Sequence, residues 1–340
     1  MVIKKEYNNF ILNWLYLLLF TLFVMVLVGG LTRLTDSGLS ITRWDVVKGI
    51  LPPFSAKDWN DAFNLYKEIP QFYILNSNIS LDEFKIIYYW EYFHRLIGRI
   101  FGLIFLIPFV YFLIKKVFTN ENNIKLGFLF LLILLQGFIG WYMVQSGLTE
   151  NTTVSHFRLA LHLNLALILY SATFWYLLNF KTNVNKIFFK INNGSNFLIL
   201  FVFLIFLQIT FGAFVSGLDA GQIYQTWPSM NGNYFPDDIG SGDLNLNNIF
   251  YTHSFVQFIH RNIAYFILIY SILILFYIFN KRKKNLYLPA LIVFLFILFQ
   301  MAMGILTLVS GLYVGYASMH QLSTIFLLSS AVYLYHKSIN

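Results

Sequence analysis

Four histidines and one carboxylate are the side chains of this sequence whose types and spacing could do chemistry. His94 sits in WEYFHRLIGR (90–99) and His260 in VQFIHRNIAY (256–265), two copies of one pattern in which Arg95 or Arg261 directly follows the histidine. Three residues before each histidine the copies differ, with Glu91 in one and Gln257 in the other. On a helix that spacing puts the side chain and the imidazole on one side, about a turn apart. His162 and His320 stand on later apolar runs.

The four histidines lie at one depth. From each to the basic residue closing its apolar run there are 21 residues (His94 to Lys115), 19 (His162 to Lys181), 21 (His260 to Lys281) and 17 (His320 to Lys337). At about 1.5 Å of rise per residue these are roughly 32, 29, 32 and 26 Å. All four therefore reach the outer edge of a hydrocarbon core about 30 Å thick.

A lone histidine in an apolar helix is more often a packed, hydrogen-bonded residue than a ligand. Four at one depth, paired by repeat, favour ligation. Two on facing helices suit axial binding of a heme lying between them, one porphyrin in each half of the chain. Zinc fits poorly, because it gathers three or four close ligands and the sequence has neither an i, i+4 histidine pair nor a cysteine.

Glu91 at a membrane edge is costly to desolvate, which favours a functional role, although pairing with Arg95 or Arg99 would also account for it. Its neutral duplicate, Gln257, points to an acid or base needed beside one porphyrin and not the other. Arg95 and Arg261 stand where heme propionates would point and suit bidentate carboxylate binding, or they snorkel as anchors. His156, His253 and His336 have no repeat partner and read as surface or helix-end residues.

The elements that must hold these groups are membrane helices. Of 340 residues, 58% are hydrophobic and 11% charged, with a mean hydropathy of +0.65, far from the usual soluble composition. Spans are read at 10–31, 88–114, 126–146, 157–178, 196–216, 253–279, 287–309 and 314–335, which makes eight transmembrane helices. Runs such as FLIFLQITFGAFV do not alternate, which favours helices over a barrel. The N-terminal run is too long for a signal-peptide core and reads as a retained first helix.

Basic residues flank one side: Lys4, Lys5, Lys115, Lys116, Lys125, Lys181, Lys186, Lys190, KRKK at 281–284 and Lys337. The loop 217–252 has no Lys or Arg and carries Asp219, Asp237, Asp238 and Asp243. By the positive-inside rule both termini face the cytoplasm and the histidines lie toward the outer side. The net charge of +8 is thus topological and implies no nucleic-acid partner. The absence of cysteine excludes disulfides, iron–sulfur clusters and thiol nucleophiles.

The chain repeats itself. Asp36, Gly38, Trp44, Gly49 and Pro53 match Asp219, Gly221, Trp227, Gly232 and Pro236 at an offset of 183. His94 matches His260 at 166, QGFIGWYMVQSGL matches QMAMGILTLVSGL at 164, and His162 matches His320 at 158. Ordered blocks with falling offsets indicate duplication. An even number of helices per unit makes it a parallel repeat, so the fold expected is all-α integral membrane, two parallel-repeat four-helix bundles divided as 1–180 and 181–340. Trp59, Phe63, Tyr66 and Ile69 recur at helical spacing in loop 32–87 and predict short helices lying on the outer surface. The two outer loops form a lid over the sites or serve as solvated connectors.

The blocks EYFHRLIGR, QGFIGWYMVQSGL, HFRLALHLNLAL, GAFVSGLDAGQIYQTWPSMNG, FIHRNIAY and MHQLSTIF, in this order, resemble the heme A synthase family from Gly29 to Leu327. The resemblance implies an oxidoreductase of the cell (inner) membrane that converts the C8 methyl of heme O to the formyl of heme A by successive hydroxylations. Heme O would lie between His94 and His162 in the N-terminal half, with Glu91 as catalytic carboxylate and Arg95 beside it. A resident heme b would lie between His260 and His320, with Arg261 beside it. A heme O synthase upstream and heme-A-containing terminal oxidases downstream are the implied partners. Some members carry a cysteine pair in the first outer loop; this chain resembles the cysteine-free branch. A diheme b-type, quinone-linked electron carrier is the rival reading, against which the Glu91/Gln257 difference counts. A transporter is a second rival, although its polar groups would gather at the midplane.

Overall fold

The computed structural model describes residues 2–44, 48–149, 151–189, 195–240, 245 and 248–339; Lys190 and Asp243 lie outside them. Among the described residues the regular structure is helical, with isolated bridges only at Val2–Phe118 and Met230–Asn233. The helices are α1 (Asn8–Leu34), α2 (Ala56–Tyr66), α3 (Pro70–Leu75), α4 (Leu81–Ile114), α5 (Asn120–Gln145), α6 (His156–Thr182), α7 (Asn196–Gly217), α8 (His253–Asn280), α9 (Tyr287–Val309) and α10 (Val314–Ser338). Apolar runs of this length form helices because only intra-segment hydrogen bonds satisfy the backbone in hydrocarbon.

Among the described residues seven helices are long and apolar enough to cross a membrane: α1 and α4 to α9. Eight spans were expected. The difference is α10, which at 25 residues is about 37 Å long but carries His320, Gln321, Ser323, Thr324, Ser329 and Ser330, so its composition falls short of the others.

The chain divides into two compact units, Val2–Ala166 and Leu167–Asn340. The boundary between these units falls inside α6. The physical reason lies in the C-terminal part of α6, which packs on α10: Tyr170 Oη is 2.9 Å from Ser329 Oγ, and Trp175 stacks on Tyr335 with centroids 5.5 Å apart.

In the first unit, α4 runs for 34 residues, about 51 Å, well beyond a hydrocarbon core of about 30 Å. It starts from a capping box, with Ser80 accepting from Glu83 N and the Glu83 carboxylate accepting from Ser80 N. A second box, Ser55 with Asp58, starts α2. The helical spacing of Trp59, Phe63 and Tyr66 puts them on one side of α2, where they are buried with Ile69 against Phe84 and Tyr88 of α4. The short helices expected in this loop are thus α2 and α3.

This aromatic cap also anchors the chain before it. Tyr66 Oη donates to Gln71 Oε1 at 3.1 Å, and Gln71 Nε2 donates to the Asp36 carbonyl at 3.1 Å. Burial raises the Tyr66 phenol above its usual range, so it stays a proton donor. The segment immediately following Asp36 reaches the functional site.

Candidate functional site

In the first unit, His94 of α4 faces His162 of α6, with ring centroids 6.5 Å apart and planes at 70°. In the second, His260 of α8 faces His320 of α10 at 6.4 Å and 86°. The four histidines chosen by depth are thus brought together as two pairs. Two imidazoles sharing one first-row metal through bonds of about 2.0 Å, with a ring radius of roughly 1 Å added at each end, have centres about 6 Å apart. The spacing of both pairs matches that of two imidazoles sharing one iron.

The rings seat on glycines. A Cβ on Gly29 would come within 2.8 Å of His94 Cε1; the corresponding distances are 3.0 Å for Gly140 and His162, 3.1 Å for Gly212 and His260, and 3.0 Å for Gly304 and His320. Each imidazole thus occupies the space of an absent side chain on a neighbouring helix. Gly29 and Gly212 share the repeat offset of 183, and Gly140 and Gly304 the offset of 164. Sequence reasoning passed over these glycines, although the repeat itself carried the signal.

Ring nitrogens are supported unequally. His320 Nδ1 lies 3.0 Å from the Gln300 carbonyl, and Gln208 Nε2 lies 3.3 Å from His260 Nε2. Gln136 Nε2 lies 3.2 and 3.3 Å from the two ring nitrogens of His162. Nδ1 of His94 and of His260 is buried with no hydrogen-bond partner among the described residues. Donors of this kind, on apolar helices with no third ligand nearby, fit an iron porphyrin: the described residues contain no cluster of three or more His, Asp or Glu that would hold a bare metal ion.

Glu91 is 3% exposed and its carboxylate is fully engaged. Oε2 accepts from Ser40 Oγ at 2.7 Å and from Ile41 N at 2.8 Å, while Oε1 accepts from Arg95 Nη2 at 2.5 Å. The same Arg95 nitrogen reaches the Ile41 carbonyl at 3.0 Å, and the guanidinium lies 4.7 Å from the Trp44 ring. Ser40, Ile41 and Trp44, in the segment between α1 and α2, were not anticipated as part of the site.

The second unit builds the same corner with opposite polarity. Gln257 Nε2 and Arg261 Nη2 both donate to the Tyr224 carbonyl, each at 3.0 Å, and Arg261 Nη1 reaches the Ser229 carbonyl at 3.4 Å. Tyr224 is the repeat partner of Ile41 at the offset of 183. Where the first loop presents an N–H and a hydroxyl, the helix answers with a carboxylate; where the second presents a carbonyl, it answers with an amide. Each arginine is held by the loop that precedes its own histidine-bearing helix, within its own unit. These loops are more than solvated connectors.

The other histidines divide. His253 is exposed at the start of α8, and His156 begins α6 but is buried. His336, read as a tail residue, is 3% exposed, with Nε2 2.9 Å from Asn179 Oδ1 and its ring 4.8 Å from Trp175. The cause is again the packing of α6 on α10.

The family model described as cytochrome oxidase assembly protein, COX15-CtaA, matches residues 12–332. Among curated proteins, the chain is 47% identical over 338 residues to a heme A synthase of Pelagibacter ubique, covering 99% of both chains. It is 40% identical over 325 residues to a heme A synthase of Rickettsia bellii, covering 95% of this chain and 96% of the relative. Against a heme A synthase of Nitrosospira multiformis the identity is 39% over 332 residues, covering 95% and 92%.

Proposed function

The chain belongs to the COX15-CtaA family of cytochrome oxidase assembly proteins, and from that premise we propose that it acts as a heme A synthase, oxidising the C8 methyl of heme O to a formyl group. The observation that carries the reading is a pair of matched imidazole clamps, 6.5 and 6.4 Å across, with a carboxylate beside only one. A permanent diheme carrier would need two equivalent sites.

In this reading heme O binds between His94 and His162 and a resident heme b between His260 and His320. The eight helices form two parallel-repeat four-helix halves, 1–180 and 181–340, with α10 as the eighth span. Both termini are cytoplasmic and the clamps lie toward the outer side of the cell membrane. Supply by a heme O synthase and delivery to a heme-A-containing oxidase follow from the product.

The bound hemes supply the redox chemistry. The protein's share is to orient the methyl group, exclude water and move protons. In this reading Glu91, one helical turn from His94, takes a proton from the reacting carbon or from an attacking water. Ser40, Ile41 N and Arg95 orient that carboxylate. Arg95 and Arg261 would hold the propionates of the two hemes. Each of two hydroxylations would replace a C–H bond by C–OH, a two-electron oxidation whose oxidant comes from outside the chain, and the resulting geminal diol loses water to leave the aldehyde.

The test is co-expression with a heme O supply, followed by chromatography of the extracted hemes. One heme b with heme O or heme A supports the synthase; two heme b molecules would indicate the carrier instead.

A further inference from the structure

The two clamps differ in how their later histidine is held, and the difference traces to two residues. In the second unit the Gln300 amide is pinned on both atoms: Oε1 accepts from Ser323 Oγ at 2.6 Å and Nε2 donates to Thr324 Oγ1 at 2.5 Å. With its side chain so held, Gln300 offers its backbone carbonyl to His320 Nδ1 at 3.0 Å.

The repeat partner of Gln300 is Gln136, and the residues three and four after His162 are Leu165 and Ala166 in place of Ser323 and Thr324. Neither can bind an amide. The Gln136 side chain instead sits at the His162 ring, with Nε2 also 3.1 Å from the His162 carbonyl, while Oε1 is buried with no partner among the described residues.

A primary amide has a donor end and an acceptor end exchanged by a half-turn. It can give a proton to a bare ring nitrogen, or accept Nδ1–H from a ring whose other nitrogen is bound to iron. A backbone carbonyl can only accept. Such outer hydrogen bonds set ligand basicity and typically change metal affinity about 10- to 100-fold.

We infer that Leu165 and Ala166, by leaving the Gln136 amide unanchored, make the His94/His162 clamp the exchangeable one, with Gln136 a positioning residue that supports His162 only weakly, and that Ser323 and Thr324 make the His260/His320 clamp permanent. This inference rests on the assignment of the histidines as heme ligands.

The test uses the purified full chain, co-expressed with a heme O supply, mixed with excess apomyoglobin as heme acceptor. Optical spectra follow the transfer, and chromatography identifies the heme that leaves. Wild type releases the farnesylated heme and keeps heme b. The double variant Leu165→Ser/Ala166→Thr, which recreates the Gln300 anchor around Gln136, should slow that release about tenfold. Gln136→Leu should accelerate it, with the retained heme b spectrum reporting an intact fold. Ser323→Leu/Thr324→Ala should make heme b transferable. Unchanged release rates in these variants overturn the inference. A His162→Ala variant that still retains both hemes overturns the ligand assignment itself, a distinguishable result.

Discussion

The His94 imidazole rests where a Gly29 side chain would stand, with Cε1 2.8 Å from the position of the missing Cβ. The same relationship recurs at each of the other three histidines within 3.1 Å. A ring so close to a neighbouring backbone cannot turn without moving a helix, and a ligand must be held in this way if two imidazoles are to meet one iron.

Gly29→Ala and Gly212→Ala should therefore each displace one ring, at a cost of about 1–3 kcal/mol from overpacking. Gly29→Ala should deplete only the first clamp's heme and Gly212→Ala only the second's, as measured by heme-to-protein ratio and optical spectrum. Gly102→Ala and Gly137→Ala, where nothing lies within 4 Å of a Cβ, should keep both hemes and serve as controls.

Glu91→Gln should leave both hemes bound and stall heme A formation, since the amide keeps the shape and loses the charge. The reverse change, Gln257→Glu, aims a carboxylate at the Tyr224 carbonyl, which accepts the present amide at 3.0 Å. It should destabilise the second unit without creating a second reactive site. Heme chromatography and thermal melting check the pair; wild-type heme A from Glu91→Gln would reject the catalytic assignment.

Arg95→Met leaves a buried carboxylate facing only Ser40 and the Ile41 N–H. Breaking a buried pair in this way costs about 3–5 kcal/mol. In the double variant Glu91→Gln/Arg95→Met the orphaned charge is gone, so its melting temperature should exceed that of Arg95→Met alone. Equal melting temperatures would show that the pair is not coupled.

Trp59→Ala should remove about 3–5 kcal/mol of packing from the aromatic cap. Because Gln71 ties that cap to Asp36, four residues before Ser40, heme A yield should fall while the heme content of the second clamp stays normal. Equal loss from both clamps would show that the cap acts on the whole fold.

The amino-acid sequence alone determined the helical membrane class, the internal duplication, the short helices at Trp59–Tyr66, the four histidines at one depth and the single unmatched carboxylate. These follow from composition and from periodicity along one chain, which are local and additive: a histidine's depth is a count of residues, and Glu91 against Gln257 is a comparison of two copies. Tertiary structure decided what those groups touch. Ser40 stands 51 residues from Glu91, Gln136 stands 26 from His162 and Asn179 stands 157 from His336, so no pattern in either segment foretells the contact. The unit boundary inside α6 belongs here too, because Tyr170, Trp175 and Asn179 take their partners from a helix far along the chain. Hydrogen-bond partners across a loop, and the glycine a ring presses against, are chosen by how helices pack. That choice exists only once the chain has folded.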